Sequence, residues 1–157
     1  MPDLEPLYTS EEMRAAEQGH DTSVLMERAG AAAAQVALQV FPGAERWTVV
    51  CGGGANGGDG RIAARHLEQA GKHVHVVDAK TGETDLGEPH VIVDALFGTG
   101  FSGAPRAEAA ALIERINGAG ARVLAIDLPS GVDASTGEIH GAAIRANETV
   151  TFHARKV

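Results

Sequence analysis

The sequence predicts an α/β fold on a mostly parallel β-sheet, and two observations support this. Five short apolar runs alternate with segments of helical period, which is typical of strands covered by helices on both faces. Glycine-rich turns follow the first and third runs, at the end of the sheet where open α/β folds bind ligands. The predicted strands are residues 47–51, 74–78, 91–96, 122–127 and 149–152.

The helices are predicted from apolar spacing together with start and stop signals. Thr9 and Glu12 have the spacing of a capping box, and Pro42-Gly43 stop the longest helix. The connection 79–90 contains turn formers but no helical period, so we expect an irregular link where a βα unit would otherwise lie. The predicted helices are Thr9–Gln18, Ser23–Val40, 61–70 and 106–117.

Length and composition favour one ordinary globular domain over residues 1–157. The chain is 44% hydrophobic and carries a net charge of −8, which argues against a general nucleic-acid or anionic-membrane surface. A single cysteine, Cys51, excludes an internal disulfide and lies in an apolar strand, where a buried inert thiol is expected. No apolar run reaches membrane-spanning length and the acidic N-terminus has no signal-peptide pattern, so we expect a cytoplasmic protein.

The stretch WTVVCGGGANGGDGR carries six glycines in Gly52–Gly60, between a strand and a helical pattern. Such a loop presents backbone N–H groups and the positive end of a helix dipole, which predicts a nucleotide or phosphate ligand. It contains no clean G-x-G-x-x-G, and Asp78 matches the ribose-binding position only loosely. The P-loop is excluded because no Gly-Lys-Ser/Thr follows the glycines.

Polar residues end three of the predicted strands. In a parallel sheet Asn56, Asp94, Asp127 and Ser130 would converge on one rim. The first two and Ser130 offer only oxygen ligands, which suit an alkali or alkaline-earth cation, and Asp127 could shuttle a proton. The alternative is that both aspartates merely cap loops or helix ends.

Several motifs, taken in order, resemble the NAD(P)HX epimerases of the YjeF N-terminal domain family. They are GGGANGGDG, VIVDALFGTGFSGAPR, VLAIDLPSGVDASTGE and TVTFHARK, with MRAAEQ and LMERAG similar to the family's first helices. The resemblance runs from about Tyr8 to Lys156. It implies a three-layer α/β/α Rossmann-like fold that interconverts the R and S forms of hydrated NADH or NADPH.

The resemblance also implies residue roles. Asp127 would bind substrate and transfer the proton, and a potassium ion, one per subunit, would be held by Asn56, Asp94 and Ser130. The remaining substrate contacts would be Ala55, Asn56, Gly57, Gly58, Asp59, Gly98, Thr99, Gly100, Phe101, Ser102, Gly103 and Ala104. A homodimer and a partner NAD(P)HX dehydratase, fused or separate, are implied as well.

The sequence departs from the family pattern at three places. Ala55 stands where the family carries asparagine, the segment 79–90 is shorter, and Val157 ends the chain where relatives continue. The chain is therefore either a natural short form or the N-terminal part of a longer, bifunctional protein. The alternative function is a nucleotide-binding or scaffold module without catalysis. An NAD-dependent oxidoreductase is disfavoured, because no clean fingerprint or catalytic pair is present.

Overall fold

The computed structural model describes residues 22–151, so the predicted helix Thr9–Gln18 and the end of the last predicted strand lie outside the described residues. In chain order the elements are α1 (Thr22–Val40), β1 (Arg46–Cys51), α2 (Ala55–Gln69), β2 (His73–Asp78), a 3-10 helix (Ala79–Thr81), β3 (Val91–Ala95), α3 (Ala107–Asn117), β4 (Arg122–Ile126) and β5 (Glu148–Val150). Within this range the five strands form one sheet in the order β2-β1-β3-β4-β5, and every neighbouring pair is parallel.

Apolar side chains cover both faces of this sheet. On one face α1 and α2 pack over a core that includes Trp47, Val49 and Leu67. On the other face α3 and two connecting segments pack over a second core that includes Ile92, Ile113 and Leu86. The central strands β1, β3 and β4 are buried from both sides, which is why they read as near-continuous apolar runs in the sequence. The edge strands β2 and β5 are partly exposed. The predicted three-layer α/β/α fold is confirmed.

The connection from β2 to β3 is irregular, as predicted. It contains one short 3-10 turn and is then fastened to the sheet by Leu86, which is buried. The Thr48 hydroxyl donates a hydrogen bond to the Leu86 carbonyl at 2.7 Å, and the Arg115 Nε donates to the Thr84 carbonyl at 2.9 Å. Buried Leu86 and these two hydrogen bonds therefore hold the link over the face of the sheet that a crossover helix would otherwise cover.

Helix α2 begins at Ala55, six residues before the predicted start at residue 61. The prediction was wrong because glycine has low helix propensity, and three glycines among the six residues 55–60 favour a loop. Here packing decides instead. A β-carbon on Gly60 would come within 2.5 Å of the Ala95 side chain and 3.1 Å of the Cys51 sulfur, so only glycine lets the helix lie this close to the sheet.

The single cysteine lies at this contact. Cys51 is fully buried, and burial raises the pKa of its thiol to about 11. A protonated, inaccessible thiol is unreactive, so Cys51 packs as a small apolar side chain. None of the helices in residues 22–151 combines the length and the apolar character that crossing a bilayer requires.

Candidate active site

The strand order places a crevice at the carboxyl end of the sheet, between β1 and β3. From β1 the chain passes through α2 to β2 on one side, and β3 then lies on the other side of β1. This reversal is a topological switch point, where open α/β sheets bind their ligands. The glycine loop after β1 and the loop after β3 both open onto it.

The glycine loop brings the N-terminus of α2 directly onto this crevice. The Gly52 N–H donates to the Ala95 carbonyl at 2.9 Å, which joins the ends of β1 and β3. A β-carbon on Gly57 would collide with the Gly52 carbonyl oxygen, so the first helical turn sits against the loop backbone. No side chain among the described residues caps the helix at Gly54. The N–H groups of its first turn are thus available to a ligand.

The close approach at Gly57 gives a stability prediction. We expect Gly57→Ala to lower the free energy of unfolding by about 2 kcal/mol, because the colliding partner is backbone and cannot rotate away. Gly54→Ser is the matched control: nothing lies within 4 Å of its β-carbon position, and serine is favoured at a helix N-cap. Urea denaturation measures both variants, and equal stabilities would contradict the packing argument.

The main chain of Phe97 is held by two predicted site residues. Asn56 Nδ2 donates to the Phe97 carbonyl at 2.8 Å, and the Phe97 N–H donates to Ser130 Oγ at 3.0 Å. Asn56 is buried, and its Oδ1 atom has no hydrogen-bond partner within residues 22–151. A buried, unsatisfied amide oxygen costs free energy unless a ligand satisfies it.

Asp94 organises the adjoining side of the crevice. Its Oδ1 accepts hydrogen bonds from Ser130 Oγ at 2.6 Å and from the Leu96 N–H at 3.2 Å, and its Oδ2 accepts from the Ser130 N–H at 2.8 Å. The side chain is fully buried, and this burial raises the pKa of Asp94 to about 6 against the opposing effect of the hydrogen bonds. Asp94 therefore ties the end of β3 to the turn after β4.

Asp127 and Asn56 both flank Gly98. A β-carbon on Gly98 would lie 3.2 Å from Asp127 Oδ2 and 3.3 Å from the Asn56 β-carbon, so glycine leaves the space between the two side chains open. Asp127 directly follows β4 and is half-buried. Its φ of 79° is the only positive value at a non-glycine residue among those described, and its N–H donates to the Val150 carbonyl at 2.7 Å. A left-handed aspartate at a strand end is strained backbone of the kind found at functional sites.

The loop after β3 folds over one side of the crevice. The Phe101 N–H donates to the Gly98 carbonyl at 3.2 Å, and the rings of Phe97 and Phe101 stack with centroids 4.8 Å apart. Thr99 is half-buried, whereas residues 102–104 are exposed on the outer part of the loop. On α2, Ala55 is exposed at the first position and Asp59 is half-buried one turn later. Phe97 was missed from sequence because its peptide, not its side chain, joins the site.

The fold and this crevice define a class: doubly wound α/β proteins with a glycine-rich loop and a buried oxygen cluster at the switch point. Within that class, the chain belongs to the family described as YjeF-related protein N-terminus, which matches residues 22–88 and 77–157. The predicted family membership is confirmed. The two matched stretches overlap at residues 77–88, at the end of β2 and in the link that follows it.

Similar proteins include bifunctional NAD(P)H-hydrate repair enzymes. The Pyrobaculum aerophilum enzyme is 41% identical over 85% of this chain and 33% of its own length. The Leishmania infantum enzyme is 39% identical over 93% of this chain and 31% of its own length. The Escherichia coli enzyme is 39% identical over 84% of this chain and 30% of its own length. The chain thus spans about a third of these relatives. The crystal structure of yeast YNL200c shares the fold, with a TM-score of 0.83 at 22% identity, over 96% of this chain and 82% of that one.

Proposed function

We propose that this chain is an NAD(P)HX epimerase, an isomerase that interconverts the R and S forms of hydrated NADH or NADPH. The observation that carries the proposal is the meeting of three groups around Gly98: the Asp127 carboxylate, the Asn56 amide and the N-terminus of α2. The names of the bifunctional repair enzymes similar to this chain support it.

Each group has a role in the proposed reaction. The N–H groups at the start of α2 bind the phosphates of the dinucleotide. The stacked rings of Phe97 and Phe101 and the loop from Gly98 exclude water from one side of the crevice. Epimerisation requires that a bond at the hydrated ring carbon, either to the hydroxyl or within the ring, breaks and re-forms on the other face. Asp127 gives a proton as the bond breaks and recovers it as the bond re-forms, and its carboxylate stabilises the cationic ring between these steps.

We further propose that Asn56, Asp94 and Ser130 hold a potassium ion. The residues fit such an ion: Asn56 Oδ1 is buried and unsatisfied among the described residues. Asn56 and Ser130 both hydrogen-bond to the main chain of Phe97, and Asp94 is bonded to Ser130, so oxygen atoms of all three residues belong to one hydrogen-bonded cluster. Carboxylate, amide and hydroxyl oxygens are ligands of hard cations. No group of three His, Cys, Asp or Glu side chains in residues 22–151 could hold a metal, which argues against a zinc-type centre. When bound, the ion would satisfy the buried Asn56 Oδ1 atom and balance the charge of the ionised Asp94 carboxylate.

Potassium is expected to stabilise the protein more at about pH 7.5 than at about pH 5. Without a cation, the raised pKa of Asp94 means that its contribution to stability is present below about pH 4 and is lost as the pH rises through about 6. A cation binds the ionised carboxylate and so restores stability at the higher pH. Thermal melts in potassium chloride and in tetramethylammonium chloride of equal ionic strength measure the difference. A potassium effect independent of pH, or none at all, would contradict the proposed site.

The function itself is tested by following the interconversion of purified R- and S-NADHX in potassium buffer. We expect each isomer to approach the same equilibrium mixture, with a rate proportional to protein concentration. A folded protein that leaves both isomers unchanged would refute the epimerase and favour the binding-module alternative. The same assay on NADPHX compares the two substrates.

The compartment, the oligomeric state and the partner enzyme belong to the same proposal. We propose a cytoplasmic homodimer acting with an NAD(P)HX dehydratase, fused or separate, as the bifunctional names of the relatives suggest. Light scattering on the purified protein measures the subunit number, and a monomer at micromolar concentration would contradict the dimer.

A further inference from the structure

A lysine at the end of β2 lies over the glycine loop and has no role in the chemistry above. The Lys80 side chain covers Gly53: its Cε occupies the place where a β-carbon of Gly53 would lie, and its Nζ is 3.2 Å from that place. Within residues 22–151 no carboxylate lies within ion-pair distance of this ammonium group. An unpaired cation therefore lies beside the loop that leads into α2.

Two hydrogen bonds to Asp78 fix the backbone around Lys80. Asp78 Oδ1 accepts from the Lys80 N–H at 2.9 Å, and Thr81 Oγ1 donates to the Asp78 carbonyl at 2.8 Å. Asp78 Oδ2 is paired with Arg61 at 3.1 Å. Both oxygens of this carboxylate are engaged, so the end of β2 presents two cations against one anion, in a chain whose net charge is −8.

The end of β2, with Lys80 and Arg61, lies where the adenosine end of a bound dinucleotide is expected. Asp127 follows β4, the glycine loop follows β1, and Lys80 follows β2, so the three lie in that order along one rim. Three strand spacings, roughly 14 Å, separate β4 from β2. In doubly wound folds the end of β2 meets the adenosine ribose: a free carboxylate accepts from the 2′-hydroxyl, whereas a cation accommodates a 2′-phosphate.

We propose that Lys80 binds the 2′-phosphate of the adenosine ribose and makes this chain prefer the phosphorylated dinucleotide, NADPHX, over NADHX. The inference rests on the proposed function for the identity of the reacting ring, but the phosphate contact is independent of catalysis. Asp78 is paired with Arg61 and is not free to accept a hydrogen bond from a 2′-hydroxyl, so the end of β2 favours an anion. The preference arises in the link between β2 and β3, which carries Lys80.

The test compares binding of NADP⁺ and NAD⁺ by calorimetry in wild type, Lys80→Ala and Lys80→Arg. These stable dinucleotides differ only in the 2′-phosphate. Loss of one charge-assisted contact is expected to weaken NADP⁺ binding about tenfold in Lys80→Ala and to leave NAD⁺ binding unchanged. Arginine keeps the charge and should retain the preference. The KM for NADPHX should rise in parallel, with kcat unchanged.

Lys72→Ala is the matched control, since it removes the same charge from the opposite end of β2, where Lys72 pairs with Glu45 at 3.0 Å. It should leave the preference unchanged. Equal weakening of both dinucleotides in Lys80→Ala would place the lysine on the shared phosphates and overturn the proposal, as would a wild type without preference or without binding. A protein that binds NADP⁺ through Lys80 but does not epimerise NADPHX would refute the proposed function and leave this subsite standing.

Discussion

Asp127→Asn is expected to lower the rate of epimerisation by about 10²- to 10⁴-fold, the usual contribution of a positioned general acid–base group. The carboxamide has nearly the same shape as the carboxylate but cannot give and recover a proton. It also lacks the negative charge that would stabilise a cationic ring. Because the side chain flanks Gly98 and not the apolar core, ligand binding should change much less than turnover. The isomer interconversion assay measures the first quantity and calorimetry with NADP⁺ the second.

The backbone of Asp127 supplies the control for this experiment. Its φ of 79° lies in the left-handed region, which asparagine tolerates well and alanine poorly. We therefore expect Asp127→Asn to keep the melting temperature and Asp127→Ala to lose about 1 kcal/mol of stability. Asp127→Gly removes the strain and the carboxylate together, so it should be folded and inactive. Retained activity in the asparagine variant would remove Asp127 from its catalytic role.

Asp94→Ala is expected to destabilise the fold by about 3 kcal/mol, lowering the melting temperature by roughly 6 to 12 °C. The substitution leaves three donors without a partner in a buried place: the Ser130 N–H, the Ser130 hydroxyl and the Leu96 N–H. Since Ser130 also accepts from the Phe97 N–H, the loop that borders the crevice should loosen as well. Thermal and urea denaturation measure the stability loss.

Asp94→Asn separates hydrogen bonding from charge at the same position. Its amide oxygen can still accept two of the three donors, so a loss of about 1 kcal/mol is expected. The neutral side chain should abolish the pH dependence of stabilisation by potassium. If the alanine variant were as stable as wild type, the hydrogen bonds around Asp94 would not be holding β3 to the turn after β4.

The central strands β1, β3 and β4 were predictable because each is buried on both faces, so that each is an apolar run in the sequence. The two glycine loops were predictable for a related reason, since glycine marks close backbone approach. The start of α2 was not: the collision that a Gly57 side chain would have with the Gly52 carbonyl exists only in the folded chain. Local propensity favoured a loop, and packing overrode it.

The residues of the candidate site were also predictable only in part. The ends of parallel strands predicted that Asn56, Asp94, Asp127 and Ser130 share a rim, and the resemblance to the family supplied their roles. The part that Phe97 plays in the site could not be predicted from sequence. Its main-chain N–H and carbonyl bond to Ser130 and Asn56, and every residue carries such atoms. Lys80 was equally hidden, since an isolated lysine in a polar link reads as solvated surface until its side chain is seen over Gly53.

The link between β2 and β3 also bears on how the chain folds. To pair in the observed order, β3 must reach the far side of β1 from β2, and parallel pairing of this kind is slow because the intervening chain must close before any contact forms. A connection limited to residues 79–90 reduces that entropic cost, and Leu86 fastens it as it closes. The pairing of β1 with β3 bridges a longer stretch of chain than the pairing of β1 with β2 or of β3 with β4, so it is the step that a short link assists most. The ligand crevice lies between β1 and β3, so we expect it to form when these two strands pair.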